Sequence, residues 1–437
     1  MQSAKLKPGL AYRALARLAF GGWRLAAIIG MRRAKDWFEM RPENAIQELA
    51  EATRKLPDGA AWRWVHCASV GEYEQAIPVI EAIKKLVPTA PILLTVFSPS
   101  VWRPLHRQRP TWMEEGDVLF ALPADLPSHT SRWLKALSVG SNRPRVKWCG
   151  LVKYEIWPEW IAQLRAANVP VHVFGAHVVD GALPFRWWAG THRRAWKSLA
   201  SVWVQDEASV QRLAQIQVAA HTLGDPRFDR VLAIADSARH APELIELQSW
   251  IAGRPCLVAG STWPAEESAL AAWWPGPSVA LVLAPHEIDP AHVEAIVSRF
   301  QARGARVQRF SQGPPVDADV LLVDSIGWLS RLYAVADVAL VGGGFQKGIH
   351  NVLEPAAHGV PTIVGPATQR FREAQEMEAI GALHKVSRND ALGAAIDGWL
   401  FDAKKRATAA SAARAYAESG RGAATEIARA LERGNSG

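Results

Sequence analysis

The run Asp337-Val338-Ala339-Leu340-Val341 leads without a break into Gly342-Gly343-Gly344-Phe345-Gln346-Lys347-Gly348-Ile349-His350-Asn351-Val352-Leu353-Glu354. The apolar, β-branched run reads as a buried strand, the glycines and lysine as a turn, and the closing residues as a helix start. Glycine lets backbone N–H groups approach an oxyanion with no Cβ in the way, and a helix start adds unpaired N–H groups and a positive dipole end. The stretch therefore reads as an anion cradle in a strand–turn–helix unit, and phosphate is the ligand it suits. It lacks the Gly-x-Gly-x-x-Gly order of dinucleotide folds, and no Gly-Lys-Ser/Thr closes it as in a Walker loop. The same residues also make an ordinary capped turn, with Asn351 as N-cap and Glu354 completing a capping box. One helix end is able to serve both purposes.

Outward from this unit the same alternation of apolar runs and helical periodicity extends over most of the chain. It predicts an α/β protein made of doubly wound parallel sheets with helices on both faces. Strands are expected at 62–68, 92–97, 118–121, 146–151, 169–174 and 202–205, then at 256–260, 280–284, 306–310, 320–323, 338–341 and 362–364. The polar, helical stretch 227–253 divides the two series, so it is read as a linker between an N-terminal domain, 41–226, and a C-terminal domain, 254–402. The Ala-rich residues 403–437 read as terminal helices. Two such domains facing across a cleft put ligands at the carboxyl ends of the strands, where the motif loops lie.

With 437 residues, 49% hydrophobic and 21% charged, the chain is long enough for several packed cores and too apolar to be disordered. Its net charge of +8 is concentrated at one end, because residues 1–35 hold eight basic residues and no acid. Local basicity argues against a nucleic-acid-binding body and for an N-terminal segment, 1–40, that meets an anionic membrane surface. Arg13, Arg17 and Arg24 interrupt its apolar stretch, so the segment is expected to lie on a bilayer rather than cross it. The alternative is an amphipathic helix docked on the protein's own core. Cys67, Cys149 and Cys256 lie far apart in apolar runs, which suggests neither a metal site nor a disulfide framework and fits a reducing cytoplasm.

The candidate chemical groups sit where strands end. Ser69-Val70-Gly71-Glu72 follows the first strand and opens a helix, so the dipole favours the ionised form of Glu72 that a general base requires. Glu155, in Tyr154-Glu155-Ile156-Trp157-Pro158, brings a second carboxylate to the same edge after the fourth strand. Ordinary helix-end electrostatics also accounts for Glu72, and backbone N–H groups in a loop for Glu155. Arg227, in Gly224-Asp225-Pro226-Arg227-Phe228-Asp229, suits a carboxylate or phosphate, and Ser261, Thr262 and His286 suit a phosphate. Each of these alone is also an ordinary turn, cap or surface group. No metal-ligand spacing appears, and no cofactor is implied.

Taken in order, Ser-Val-Gly-Glu, Glu-Ile-Trp-Pro, Gly-Asp-Pro-Arg-Phe-Asp and Gly-Gly-Gly-Phe…His-Asn-Val-Leu-Glu-Pro-Ala resemble the 3-deoxy-D-manno-octulosonic acid (Kdo) transferases of lipid A assembly. The resemblance runs from about Trp62 to Ala382. It implies a GT-B fold of two Rossmann-like domains, a CMP-Kdo donor, a lipid A precursor as acceptor, and work at the cytoplasmic face of the bacterial inner membrane. By the same resemblance Glu72 is the general base and Glu155 a second essential carboxylate. Ser69 and Gly71 fall on the acceptor side. Arg227, Ser261, Thr262, His286, Gly343, Gly344, Lys347, Gly348, His350, Asn351 and Glu354 fall on the donor side.

The expected reaction is metal-free inverting glycosyl transfer. Its rivals are a UDP-sugar-dependent GT-B glycosyltransferase or epimerase, and a catalytically silent membrane-peripheral protein that keeps the nucleotide cleft. Retention of both Glu72 and Glu155 weighs against the silent protein.

Overall fold

The structure is a computed structural model that describes residues 8–239, 241–346 and 348–434. The chain divides into two compact units, one of residues 1–227 with 422–437 and the other of residues 228–421.

The first unit carries β1 (Trp62–Cys67), β2 (Ile92–Val96), β3 (Val118–Ala121), β4 (Val146–Val152), β5 (Val171–Ala176), β6 (Ser201–Val204) and β7 (His221–Thr222). These seven strands form one sheet in the order β3-β2-β1-β4-β5-β6-β7, and every pairing is parallel. The second unit carries β8 (Cys256–Thr262), β9 (Ala280–Pro285), β10 (Val307–Arg309), β11 (Val320–Leu322), β12 (Val338–Val341), β13 (Thr362–Val364) and β14 (Leu383–Lys385). Its sheet, also parallel, has the order β10-β11-β9-β8-β12-β13-β14.

Both faces of each sheet are covered, which explains why the strands read as near-continuous apolar runs rather than alternating ones. Successive side chains of β8 go to opposite cores: Cys256 and Val258 join one cluster, Leu257 and Ala259 the other. In β2, Leu93 likewise packs on one side while Ile92 and Leu94 pack on the other. The strand order reverses between β1 and β4 in the first sheet and between β8 and β12 in the second. At such a switch point adjacent connections leave in opposite directions and open a crevice beyond the carboxyl ends of the strands.

The strands β7 and β14 have no counterpart in the sequence pattern. Each is an edge strand of two or three residues with mostly exposed side chains, so no apolar run marks it. The stretch expected to be a linker is packed structure. It forms the helices Arg227–Ala238 and Pro242–Ile251, whose Val231, Leu232, Leu244, Leu247 and Trp250 join the same core as Cys256. The terminal helices part company. Ala403–Ser419 packs into the second unit through Ala413 and Ala417, whereas Ala423–Arg433 packs into the first through Ala424, Ile427 and Leu431. Glu432 then pairs with Arg63 of β1 at 3.1 Å.

At the N-terminus the helix Leu10–Ile28 has no buried residue, and the helix Arg32–Glu39 buries Ala34 and Trp37. Among the described residues no single helix is long and apolar enough to cross a membrane; these two together reach that length and composition, with a bend of 108° between them. Lys5 and Lys7 of the basic segment lie outside the described residues.

Candidate active site

Glu72 and Glu155 flank the switch point of the first sheet, and Ser261, Gly343 and Gly344 flank that of the second. In the first unit, β1 ends at Cys67 and Ser69 caps the helix Val70–Leu86. Ser69 Oγ accepts from the Glu72 N–H at 3.4 Å, while Glu72 Oε2 accepts from the N–H of Ala68 at 2.5 Å and of Ser69 at 3.3 Å. This is a reciprocal capping box, and it fixes the Glu72 carboxylate at the carboxyl edge of the sheet. Glu72 is 4% exposed. Its pKa is raised overall, against the expectation that the helix start favours the ionised form: burial outweighs the opposing pull of the Ala68 N–H, the charge of Lys153 and the Ser69 contacts.

Glu155 lies in the loop between β4 and the helix Pro158–Ala166, across the switch point from Glu72. Burial, and then the Glu72 charge, push its carboxyl up to about 7. The Glu72 charge thus acts on Glu155, and burial raises both carboxyl groups. Gly71, itself exposed, has open space where a Cβ would stand, so packing does not require glycine there.

Lys153 is a residue that the sequence reading missed. It follows β4 directly, in a turn with a left-handed φ of 60°, and its charge acts on Glu72. Nothing but its place two residues before Glu155 hints at this role. Arg227, expected at the donor, belongs to the first unit rather than the second, and its guanidinium is engaged by Asp225 at 2.7 Å.

In the second unit, β8 exits through a bulge at Ser261, whose φ of 52° is left-handed. A bulge at a strand end re-aims its side chain, and a non-glycine residue held there marks a locally constrained turn. Beside it the rings of Trp263 and His286 stack at 4.6 Å, and those of His286 and His350 lie 4.5 Å apart. Burial and the His286 charge lower the pKa of His350. Two imidazoles, a hydroxyl and an indole therefore share the edge between β8, β9 and the glycine turn.

The turn itself departs from the expected cradle. A Cβ on Gly342 would stand 2.3 Å from the Ser261 carbonyl oxygen, and Gly343 has a φ of 88°, so both glycines are demanded by the fold. Gly344 packs on the backbone of Gly365, and Gly348 against the ring of Phe371. The N–H of Gly343 is occupied by the carboxylate of Glu266 at 2.9 Å, and that of Gly348 by the Gly343 carbonyl at 3.2 Å. Those two donors are consumed inside the protein rather than presented to a phosphate.

The following helix, Leu353–Ala357, is only five residues long, and its N-cap is Val352. Asn351 therefore forms no capping box with Glu354. Its Oδ1 accepts from the Leu353 N–H at 3.1 Å, and its Nδ2 donates to Glu354 Oε1 at 3.1 Å. Thr262, expected at the donor, is 1% exposed and donates to the buried Glu267. The bulge at Ser261 turns Thr262 inward and leaves Ser261 partly exposed at the edge. Lys347 lies outside the described residues.

Glu266 is a second residue the sequence reading missed. Pro264 followed by Glu266 marks a helix start, but its bond to Gly343, 77 residues away, has no local signal.

Two Rossmann-like units, each carrying its polar loops at the switch point of a parallel sheet, define the GT-B class of proteins. The fold is shared with the crystal structure of UDP-GlcNAc 2-epimerase from Neisseria meningitidis bound to UDP-GlcNAc. The match has a TM-score of 0.60 at 13% identity and covers 86% of this chain and 100% of that one. The family described as 3-deoxy-D-manno-octulosonic-acid transferase (kdotransferase) matches residues 41–230. The 3-deoxy-D-manno-octulosonic acid transferase of Bordetella pertussis is 31% identical over 97% of each chain. That of Haemophilus influenzae is 29% identical over 78% of this chain and 80% of its own. The chain belongs to the 3-deoxy-D-manno-octulosonic acid transferase family, and it is a glycosyltransferase.

Proposed function

We propose that the protein transfers Kdo from CMP-Kdo to a hydroxyl group of a lipid A precursor, with inversion at the anomeric carbon and Glu72 as general base. The observation that carries this reading is the pair of carboxylates at one switch point. Glu72 is fixed by backbone N–H groups on Oε2, which leaves Oε1 for an incoming hydroxyl. The acceptor oxygen forms a bond to the anomeric carbon as its proton passes to Glu72. The bond from that carbon to the phosphate oxygen breaks, and CMP leaves with the electron pair. A neutral hydroxyl is a weak nucleophile, so the base contributes on the order of 10²–10⁴-fold.

Glu155, its carboxyl pushed up to about 7, keeps a share of the protonated form at neutrality, and in that form it donates a hydrogen bond that an ionised carboxylate would not. Negative charge grows on the departing phosphate, and Ser261, His286 and His350 are the donors the second unit offers to it. Family membership supports CMP-Kdo as the donor.

The N-terminal segment supports contact with an anionic membrane, in keeping with the cytoplasmic face of the bacterial inner membrane. Leu15, Leu18, Leu25 and Ile28 are exposed on the helix Leu10–Ile28, beside exposed Arg17 and Arg24. An apolar face flanked by arginines suits the interface of a bilayer carrying acidic headgroups.

The test is incubation with CMP-Kdo and a tetra-acylated lipid A precursor, read by product mass and by anomeric configuration. A product heavier by Kdo is expected. Competition by UDP but not CMP, or no mass change, would overturn the donor assignment.

A further inference from the structure

The helix Pro158–Ala166, which follows directly from the Glu155 loop, receives no cap from its own N-cap residue, Trp157. Its first N–H groups are taken by Asp125, from the loop after β3: Asp125 accepts from Glu159 N at 3.0 Å and from Trp160 N at 2.8 Å. Asp125 is itself held by the N-terminal helix, because the hydroxyl of Tyr12 donates to its Oδ2 at 2.5 Å. The next residue, Arg13, grips Glu159 with two parallel bonds of 2.9 and 3.0 Å, and Glu159 is 1% exposed. A paired guanidinium–carboxylate contact with one partner buried fixes orientation as well as distance.

A second route reaches the same loop through rings. Trp37, on the helix Arg32–Glu39, lies 5.5 Å from Phe97, and Phe97 lies 4.8 Å from Trp157, two residues beyond Glu155. Arg41 covers Trp37 at 3.6 Å and donates to the Phe97 carbonyl at 2.9 Å. The segment 155–158 is thus braced on its downstream side by Tyr12 and Arg13 and on its flank by Trp37. A helix whose only task was to touch lipid would need no bond to buried carboxylates at the start of this helix.

We propose that the N-terminal helices position the Glu155 loop, with Tyr12 and Arg13 as positioning residues that act through Asp125 and Glu159. This rests on the reading that Glu155 takes part in glycosyl transfer. The basic segment then sets the rate of the reaction as well as the place where it happens, since a carboxyl group displaced by a fraction of an ångström no longer meets its partner.

The experiment uses the full chain, CMP-Kdo and a detergent-dispersed lipid A precursor, so that delivery to a bilayer does not limit turnover. Tyr12→Phe keeps the ring and removes the bond to Asp125; Arg13→Ala removes the grip on Glu159, and Arg13→Lys restores charge without the fork. Both disabling variants are expected to lower kcat by about tenfold or more, to leave CMP affinity unchanged, and to move the pH profile of kcat, with Arg13→Lys recovering part of the loss. Wild-type kcat and pH profile in Tyr12→Phe and Arg13→Ala, accompanied only by a lower melting temperature, would overturn the positioning role and leave a merely structural fastening. A Glu155→Gln variant at full turnover, or a wild type that transfers no Kdo, would overturn the functional reading beneath it.

Discussion

The buried carboxylate of Glu266 accepts the backbone N–H of Gly343 at 2.9 Å with one oxygen and that of Trp263 at 3.1 Å with the other. It ties the turn after β12 to the helix start after β8, the two loops that flank the switch point of the second sheet. Neither loop is free to move without breaking a charge-assisted bond.

Glu266→Ala leaves two N–H groups unsatisfied, which costs about 1–3 kcal/mol each when buried. A lower melting temperature and at least severalfold weaker CMP binding are expected. Titration calorimetry beside thermal melting checks this, and wild-type CMP affinity in the variant would show that the tie does not support the donor site.

Glu72→Gln keeps an acceptor oxygen for the capping box, since glutamine serves at that position as glutamate does. Melting temperature and CMP binding should therefore stay near wild type while transfer falls by about 10²-fold or more. Turnover within a few-fold of wild type at saturating substrates would make Glu72 a helix cap and move the search for the base to Glu155.

The Glu155 carboxyl is pushed up to about 7, against an ordinary value of 4.5, first by burial and then by Glu72. The folded state holds this proton more tightly than the unfolded chain does. Its contribution to stability is therefore full below the ordinary carboxyl range and is lost as pH rises through about 7. Glu72→Gln removes the repelling charge, so the fall in stability between about pH 5 and about pH 8 should become shallower. Urea midpoints at the two pH values measure it, and equal slopes in variant and wild type would mean that the carboxylates do not interact.

Replacing the exposed Arg17 and Arg24 by Glu should weaken flotation with anionic liposomes, at about 1 kcal/mol for each cation lost from the surface, and more steeply at low salt. Neither residue belongs to the contacts that Tyr12 and Arg13 make, so turnover on a detergent-dispersed acceptor should hold. Unchanged flotation would reject these arginines as a membrane contact.

The alternation of apolar runs and helices was enough to announce two parallel sheets, because strands buried on both faces leave an apolar signature in the chain itself. The motif loops were legible for a related reason: turns, caps and glycines obey local rules, and Ser69 with Glu72 forms the box its spacing suggests. Tertiary structure alone decided what those groups touch. A glutamate at a helix start looks the same whether it meets water or Gly343, 77 residues on, and nothing near Arg13 in the sequence points to Glu159, 146 residues away. Thr262 and Ser261 are adjacent hydroxyls, yet a bulge sends one into the core and leaves the other at the edge. Edge strands β7 and β14 stayed hidden because half-exposed backbone pairing needs no apolar pattern. Local periodicity records how deeply a residue is buried; the partner it is buried against is set by where the chain returns in space.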